Sequence, residues 1–407
     1  MYRIPFILFG DGPRLTSGLA RIARDLATQL YAREEELGIQ FAQVGIDDPD
    51  GWHFGAWPFY GFQPTMQDYG RTALLQAVTD LHTETGHRPV VFTIQDPARV
   101  YDLTRTDQDW QQRSTVLRAE VIPAEFWSYF AVDAQNPHGR LGGPAAAAVG
   151  AVQRVLAYGQ WGAGVLSATL QGTPAVEYLP HGIDTRIFHP QAQPDGPFDD
   201  WYCRQQTGTL ILGCVAANQP RKDFGLLFAT VADLASRGVP VAVWLHTDRL
   251  TGASWDVGEL VRQFSLRKEQ VFVSTHDIGD AALAGRYAHS ACTLAVGLGE
   301  GFGYPIVESL ACGTPVIHGN YGGGVELIPD PRCLVEPVAW RVESVYALVR
   351  PVFKASDWSA AVLRMSRSGL TAADWAGSVA HLDWQQLWPA WQQWFETGLV
   401  AYRRSHG

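Results

Sequence analysis

Short apolar runs alternate with amphipathic stretches along most of the chain. Residues 4–9 form a continuous apolar run that stops at Gly10. Over 18–33, Leu19, Ile22, Ala23, Leu26 and Leu30 recur on one helical face. Further strands are predicted over 41–46, 90–94, 129–132, 155–158 and 176–179, with helices over 71–82 and 145–154. Buried strands separated by helices are the pattern of parallel βαβ units.

Segment 191–200, QAQPDGPFDD, breaks this alternation with Pro, Gly and acids and reads as an interdomain linker. A second series follows, with strands over 210–215, 241–245, 271–274, 292–296, 316–318 and 333–335. Helices are predicted over 223–237, 256–264, 280–288, 304–311 and 342–352. The fold class is therefore α/β, with two open Rossmann-like sheets and a cleft between them. Ligands of such sheets bind beyond the carboxyl ends of the strands. The expected division is a first domain over 1–190, a second over 191–374 and a helical segment over 375–407. In that segment Trp384, Trp388 and Trp391 fall on one helical stripe, as a helix anchored on a core would require.

The chain's 407 residues are enough for two cores, and 46% are apolar against 18% charged, which excludes a disordered chain. No apolar run is long enough to span a membrane, and the start lacks the form of a signal peptide. The net charge of −10 disfavours a sequence-independent coat on nucleic acid but leaves room for a local basic groove. Five scattered cysteines form no CxxC or Cys/His cluster, so reduced thiols in a cytoplasmic protein are expected.

Three loops of the second half carry candidate chemistry. NQPRKD, 218–223, lies between a strand and a helix and places Arg221 and Lys222 at a helix N-terminus. The free N–H groups there already favour an anion, and an Arg fork beside a Lys point charge suits a diphosphate. EGFGYPIVE, 300–308, offers Glu300 and Glu308 around Gly301, Phe302, Gly303 and Tyr304. Its glycines permit close approach to a ligand, Pro305 suits a helix start, and carboxylates accept from vicinal sugar hydroxyls. Glu308 is expected in the first helical turn. NYGGGVE, 320–326, is a third glycine loop, able to close over a ligand with backbone amides or to serve as a plain turn.

Together with LPHGIDTRIFHP, 179–190, these motifs make the chain resemble the retaining GT-B-type glycosyltransferases of glycosyltransferase family 4. The resemblance implies two Rossmann-like domains, a nucleoside-diphosphate sugar held mainly by the second, retention of anomeric configuration and no obligatory metal or cofactor. It also implies a last helix that crosses back to the first domain. By resemblance, Arg221 and Lys222 neutralise the departing diphosphate, Glu300 with the 301–304 backbone grips the donor sugar, and Glu308 binds ribose.

The first half is less explicit. Its loop 10–18, GDGPRLTSG, is neither GxGxxG nor a P-loop. It resembles the family's first loop, which makes Ser17 and Gly18 donor-side candidates. Many family members carry a His after a first-domain strand. Here the corresponding strands end in Asp133 and in Asp96, each a catalytic candidate to polarise the acceptor hydroxyl or stabilise the sugar cation and equally readable as a capping carboxylate, and His138 lies nearby as a third candidate. Asp47, Asp48 and Asp50 read as a solvated turn rather than a metal site. The aromatic segment 51–69 includes Trp52, Phe54, Trp57, Phe59, Tyr60 and Phe62, which suit an acceptor groove or a core equally. Arg14, Arg99, Arg105, Arg113 and Arg140 add charge, and Arg14, Trp57 and His138 are the acceptor-side candidates. The first loop followed by GLARIARDLA is similar to phage-type members that glycosylate hydroxymethylated DNA bases. The expected activity is hexose transfer, by default glucose from UDP-glucose, to a glycan, lipid-linked, small-molecule or modified-DNA hydroxyl. A noncatalytic sugar-nucleotide sensor and a sugar-nucleotide epimerase are the rival readings of the same fold. The sequence assigns no oligomeric state.

Overall fold

The computed structural model describes residues 2–15, 17–46, 56–65, 68–104, 122–172 and 175–406. Two compact units divide the chain. One comprises Met1–Pro180, Val345–Ala347 and Trp388–Gly407, and the other His181–Ser344 and Leu348–Leu387.

The first unit is built on β1 (Ile4–Asp11), β2 (Ile39–Ile46), β3 (Phe59–Phe62), β4 (Val90–Gln95), β5 (Glu125–Phe130), β6 (Arg154–Ala157) and β7 (Val176–Tyr178). These lie in the order β3-β2-β1-β4-β5-β6-β7, paired in parallel throughout. Every residue of β1 is buried, which explains its unbroken apolar run. Helix α1 (Gly18–Ala32) follows β1 and buries Ile22, Ala23, Leu26 and Leu30. Helix α2 (Arg71–Thr85) precedes β4, and α3 (Pro97–Thr104) follows it.

The second unit repeats the plan with β8 (Leu210–Val215), β9 (Val241–His246), β10 (Val271–Ser274), β11 (Cys292–Ala295), β12 (Val316–Gly319) and β13 (Leu334–Val335). Their order is β10-β9-β8-β11-β12-β13, again parallel. Helix α4 (Phe224–Ser236) follows β8, and α5 (Tyr304–Ala311) follows β11. In each sheet the order reverses beside the first strand, between β1 and β4 and between β8 and β11. Loops leaving such a switch point diverge and leave a crevice for a ligand.

Several expectations need correction. Segment 191–200 is not a free linker: Asp195 makes a two-pronged pair with the fully buried Arg286, Nε to Oδ1 at 2.7 Å and Nη2 to Oδ2 at 2.8 Å. A helix, Gly196–Tyr202, starts at once and buries Phe198 and Trp201 in the second unit. A buried guanidinium needs such a partner, and an acid of the supposed linker supplies it. Segment 342–352 is not a helix. Strands β14 (Ala339–Glu343) and β15 (Leu348–Val352) pair antiparallel, Trp340 opposite Pro351 and Arg341 opposite Arg350. Its alternation of two fits a strand, and Pro351 would break a helix interior. The strand expected over 129–132 runs Glu125–Phe130, and β3 lies within the aromatic segment read as loop.

Helix α6 (Trp384–His406) holds the Trp stripe. Trp388 onward groups with the first unit, whereas Trp375 and Trp384 group with the second. Trp391 Nε1 donates to Pro180 O at 3.2 Å, and the Arg154 guanidinium lies 3.9 Å over Trp394. The stripe is thus core packing. Four cysteines are buried and free, and Cys203 is exposed and free. Among the described residues, no helix is long and apolar enough to cross a membrane.

Candidate functional site

At the second switch point, two loops are stitched together by their backbones. Asp223 N donates to Val296 O at 3.0 Å, Leu298 N donates to Arg221 O at 2.7 Å, and Lys222 bridges to Gly297. Asp223 caps α4 by accepting from Leu226 N at 2.9 Å, although burial pushes its carboxyl upward. The buried Asn218 anchors the first loop, donating from Nδ2 to Arg249 O and Trp255 O at 3.1 and 2.8 Å. Its role was missed in the sequence because the partners are 31 and 37 residues away.

This stitching brings three predicted residues together. Lys222 is 8% exposed, and its ammonium pairs with the Glu300 carboxylate. Arg221 Nη1 lies 3.5 Å from the same Glu300 oxygen and donates to Gly299 O at 3.0 Å. Two cations thus share one carboxylate beside the N-terminus of α4, whose free N–H groups and dipole also favour an anion. The Cys214 thiol is pushed up to about 12 by burial, against the pull of Lys222, so it is no nucleophile at neutral pH.

Gly303 adopts a φ of +101° at the start of α5, a backbone closed to most side chains. Phe302 and Tyr304 pack on His181 with ring centroids 4.3 and 5.3 Å away. Burial pushes His181 well below the ordinary histidine range, so it is neutral. The HGID motif therefore meets the EGFGY motif through its histidine. Gly301 precedes these rings and is covered on its carbonyl side by Gly323, where a Cβ would run into that oxygen. Gly323 N donates to Glu300 O at 2.8 Å. The NYGGG loop thus supports the Glu300 loop, and the amide of Gly323 is spent there rather than closing over a ligand.

Glu308 is the fifth residue of α5, beyond the first turn expected for it. It is 3% exposed and accepts from Tyr287 Oη at 3.0 Å, a partner that sequence spacing did not indicate. His318 was also missed. It is 1% exposed, its Nδ1 faces Gly319 O, and its Nε2 would stand 2.6 Å from a Cβ at Gly324. Burial, aided by the charge of Lys222 and opposed by the Gly319 contact, lowers it to about 4. As pH falls, the unfolded chain therefore takes up this proton first. Stability is complete above about pH 6.5 and declines toward pH 4. His318 alone is expected to remove about 2 kcal/mol by pH 5. Urea unfolding at pH 7 and pH 5 checks this, and His318→Gln should shrink the difference by about 2 kcal/mol, with His181 contributing the same sign of change in both proteins. An unchanged difference would reject the assignment.

The first switch point gathers a different group. Ser17 caps α1, accepting from Ala20 N at 3.0 Å, and its hydroxyl donates to Asp11 Oδ2 at 2.5 Å. Gln95 Nε2 donates to the other Asp11 oxygen at 2.9 Å. Asp11 was overlooked; the acid that ends a fully buried strand before Gly12 was its signal. Gly18 opens α1. Burial, then Asp11 and Asp96, raise Tyr158 well above its ordinary value.

The remaining first-half candidates separate. Asp96 is exposed and accepts from Ala98 N at 3.1 Å, a turn-capping role at the start of α3. Asp133 is half-buried three residues after β5. His138 is exposed, with its own amide donating to Asn136 Oδ1 at 2.9 Å. Trp57 is 6% exposed and donates to Gln43 Oε1 at 3.0 Å, which makes it core rather than an acceptor wall. Arg14 is exposed in the first loop. Asp47, Asp48, Asp50, Trp52, Phe54, Arg105 and Arg113 lie outside the described residues.

Two parallel-sheet Rossmann-like units of this kind define the GT-B fold of glycosyltransferases. The chain is similar to sucrose-phosphate synthase of Thermosynechococcus elongatus, with 17% identity and a TM-score of 0.71 over 98% of this chain and 100% of that one. It is also similar to Anabaena Alr3699/HepE, solved in complex with UDP and glucose, with 14% identity and a TM-score of 0.59 over 99% and 100%. In sequence, it is 30% identical over 172 residues to a GDP-mannose-dependent monoacylated alpha-(1-6)-phosphatidylinositol monomannoside mannosyltransferase of Corynebacterium glutamicum. That match covers 40% of this chain and 43% of the relative. A phosphatidyl-myo-inositol mannosyltransferase of Mycolicibacterium smegmatis is 31% identical over 163 residues, 39% of this chain and 38% of that protein. The matches thus span less than half the length of these curated relatives. No family model matches the chain.

Proposed function

We propose that the chain is a retaining glycosyltransferase that moves a hexose from a nucleoside-diphosphate sugar to an acceptor hydroxyl. One observation carries this reading: Arg221, Lys222 and Glu300 converge at the β8/β11 switch point, beside a helix N-terminus. The cations stabilise the charge that grows on the diphosphate as the sugar bond breaks, and Glu300 accepts from donor-sugar hydroxyls. Charge stabilisation of this kind is commonly the largest catalytic contribution. The acceptor approaches on the face of the departing diphosphate, whose oxygen takes its proton. In the first unit, Ser17, held by Asp11, is a donor-side candidate, Asp133 is a candidate to polarise the acceptor hydroxyl or stabilise the sugar cation, and His138 and Arg14 are acceptor-side candidates. The reaction assigns no step to a metal.

The curated relatives are named for GDP-mannose and phosphatidylinositol acceptors, and Anabaena Alr3699/HepE was solved with UDP-glucose. The donor panel therefore includes GDP-mannose and UDP-glucose. Its acceptors are phosphatidylinositol, simple glycosides and hydroxymethylcytosine-containing DNA, with products identified by mass. None of the similar proteins named above is named for DNA. A product one hexose heavier than its acceptor supports the reading. Tight donor binding with neither transfer nor slow donor hydrolysis would replace it with a sensor, and an epimerised donor with an epimerase.

Glu308 is assigned to the donor ribose. Glu308→Gln keeps an acceptor for Tyr287 but removes the charge. Donor affinity should fall about 10-fold, with turnover at saturation little changed, because ribose does not react. Calorimetric titration with the donor checks this, and an affinity equal to wild type would remove Glu308 from the site.

A further inference from the structure

The hairpin of β14 and β15 has no part in the function proposed so far. Its outer positions are open, with Trp340 and Val342 both exposed. Arg350, on the other face, is 5% exposed. A guanidinium is costly to bury and requires hydrogen-bond partners. Arg350 Nε donates to Glu343 Oε1 at 3.1 Å across the hairpin, and Nη1 reaches Leu298 O at 3.4 Å. Leu298 lies between Gly297, which bridges to Lys222, and Gly299, whose carbonyl accepts from Arg221.

A second contact joins the hairpin to the glycine loop. Tyr321 Oη donates to Val349 O at 2.9 Å, and its ring meets Trp340 edge-on at 5.1 Å. Tyr321 immediately precedes the glycines that support the Glu300 and Gly301 carbonyls. The hairpin therefore grips both loops that shape Glu300.

We propose that this hairpin is a brace for the donor loop and that Arg350 is its positioning residue, holding the Leu298–Glu300 backbone where Glu300 meets Lys222 and Arg221. The brace rests on the reading of that loop as the donor site. An Arg fork can serve Glu343 and Leu298 at once, whereas a Lys ammonium cannot reproduce that geometry. Small displacements of groups that orient a substrate are costly to catalysis.

The test combines hydrogen exchange with donor kinetics on the full chain. In Arg350→Ala, amides of 298–301 should exchange about 10-fold faster, and the donor KM should rise about 10-fold with the acceptor KM unchanged. Arg350→Lys should restore part of both. Tyr321→Phe, a milder change for the case where the alanine variant does not fold, should shift both in the same direction by about 3-fold. Loop exchange equal to wild type in a folded Arg350→Ala protein, or in Tyr321→Phe if the alanine variant does not fold, would overturn the brace. Faster exchange in a chain whose wild type binds neither GDP-mannose nor UDP-glucose would uphold the brace and reject the donor-site reading.

Discussion

Replacing Lys222 by alanine is expected to lower sugar transfer by about 10²–10³-fold, the range for loss of one preorganised stabilising donor. Lys222 is the more enclosed of the site's two cations, bridged by its backbone to Gly297 and paired through its ammonium with Glu300. Its removal leaves Glu300 with Arg221 at 3.5 Å, a weaker and more exposed partner. The loss should fall on kcat and kcat/KM alike, because the charge on the leaving diphosphate develops only as the bond breaks. Steady-state kinetics with the donor identified by the panel is the measurement. Turnover near that of wild type would contradict the role given to Lys222.

Gly323→Ala is expected to cost about 10²-fold in kcat/KM while leaving a folded protein. The added Cβ would run into the Gly301 carbonyl oxygen, and Gly323 N is committed to Glu300 O at 2.8 Å. Neither neighbour is a flexible side-chain end, so the Glu300–Gly301 backbone has to move. Gly377→Ala is the control, since its Cβ meets nothing within 4 Å. Circular dichroism melts beside kinetics separate the effects: the Gly323 variant should lose activity well before it loses structure. Equal activity in the two variants would show that the loop does not need this packing.

The parts of this molecule legible in its sequence are those set by local periodicity. The apolar runs of β1, β4, β8 and β11 and the helices after β1, β8 and β11 follow from alternation and helical spacing. The site pair was legible because RKD and EGFGY each sit between a strand and a helix. Nothing local showed that Lys222 and Glu300 touch; the β8/β11 pairing does that.

The misses have physical causes. Over 342–352 the apolar spacing suits a helix as well as a strand, and the contacts of Tyr321 and Arg350 with distant loops belong to the hairpin. Segment 191–200 has a linker's composition, yet Asp195 is required by Arg286, 91 residues away. Trp57 and His138 were equally plausible at the sequence level. Burial against Gln43 for one and an exposed Asx turn for the other distinguish them. Asp11 escaped notice because its partners, Ser17 and Gln95, assemble only when β1 and β4 pair.

The most direct test is a crystal structure of the full chain with a nucleoside diphosphate, UDP or GDP, bound. The account predicts the diphosphate within about 4 Å of both Arg221 and Lys222, an ion-pair distance, beside the N-terminus of α4. A diphosphate bound in order elsewhere on the chain, with these two cations still turned to Glu300, would contradict it.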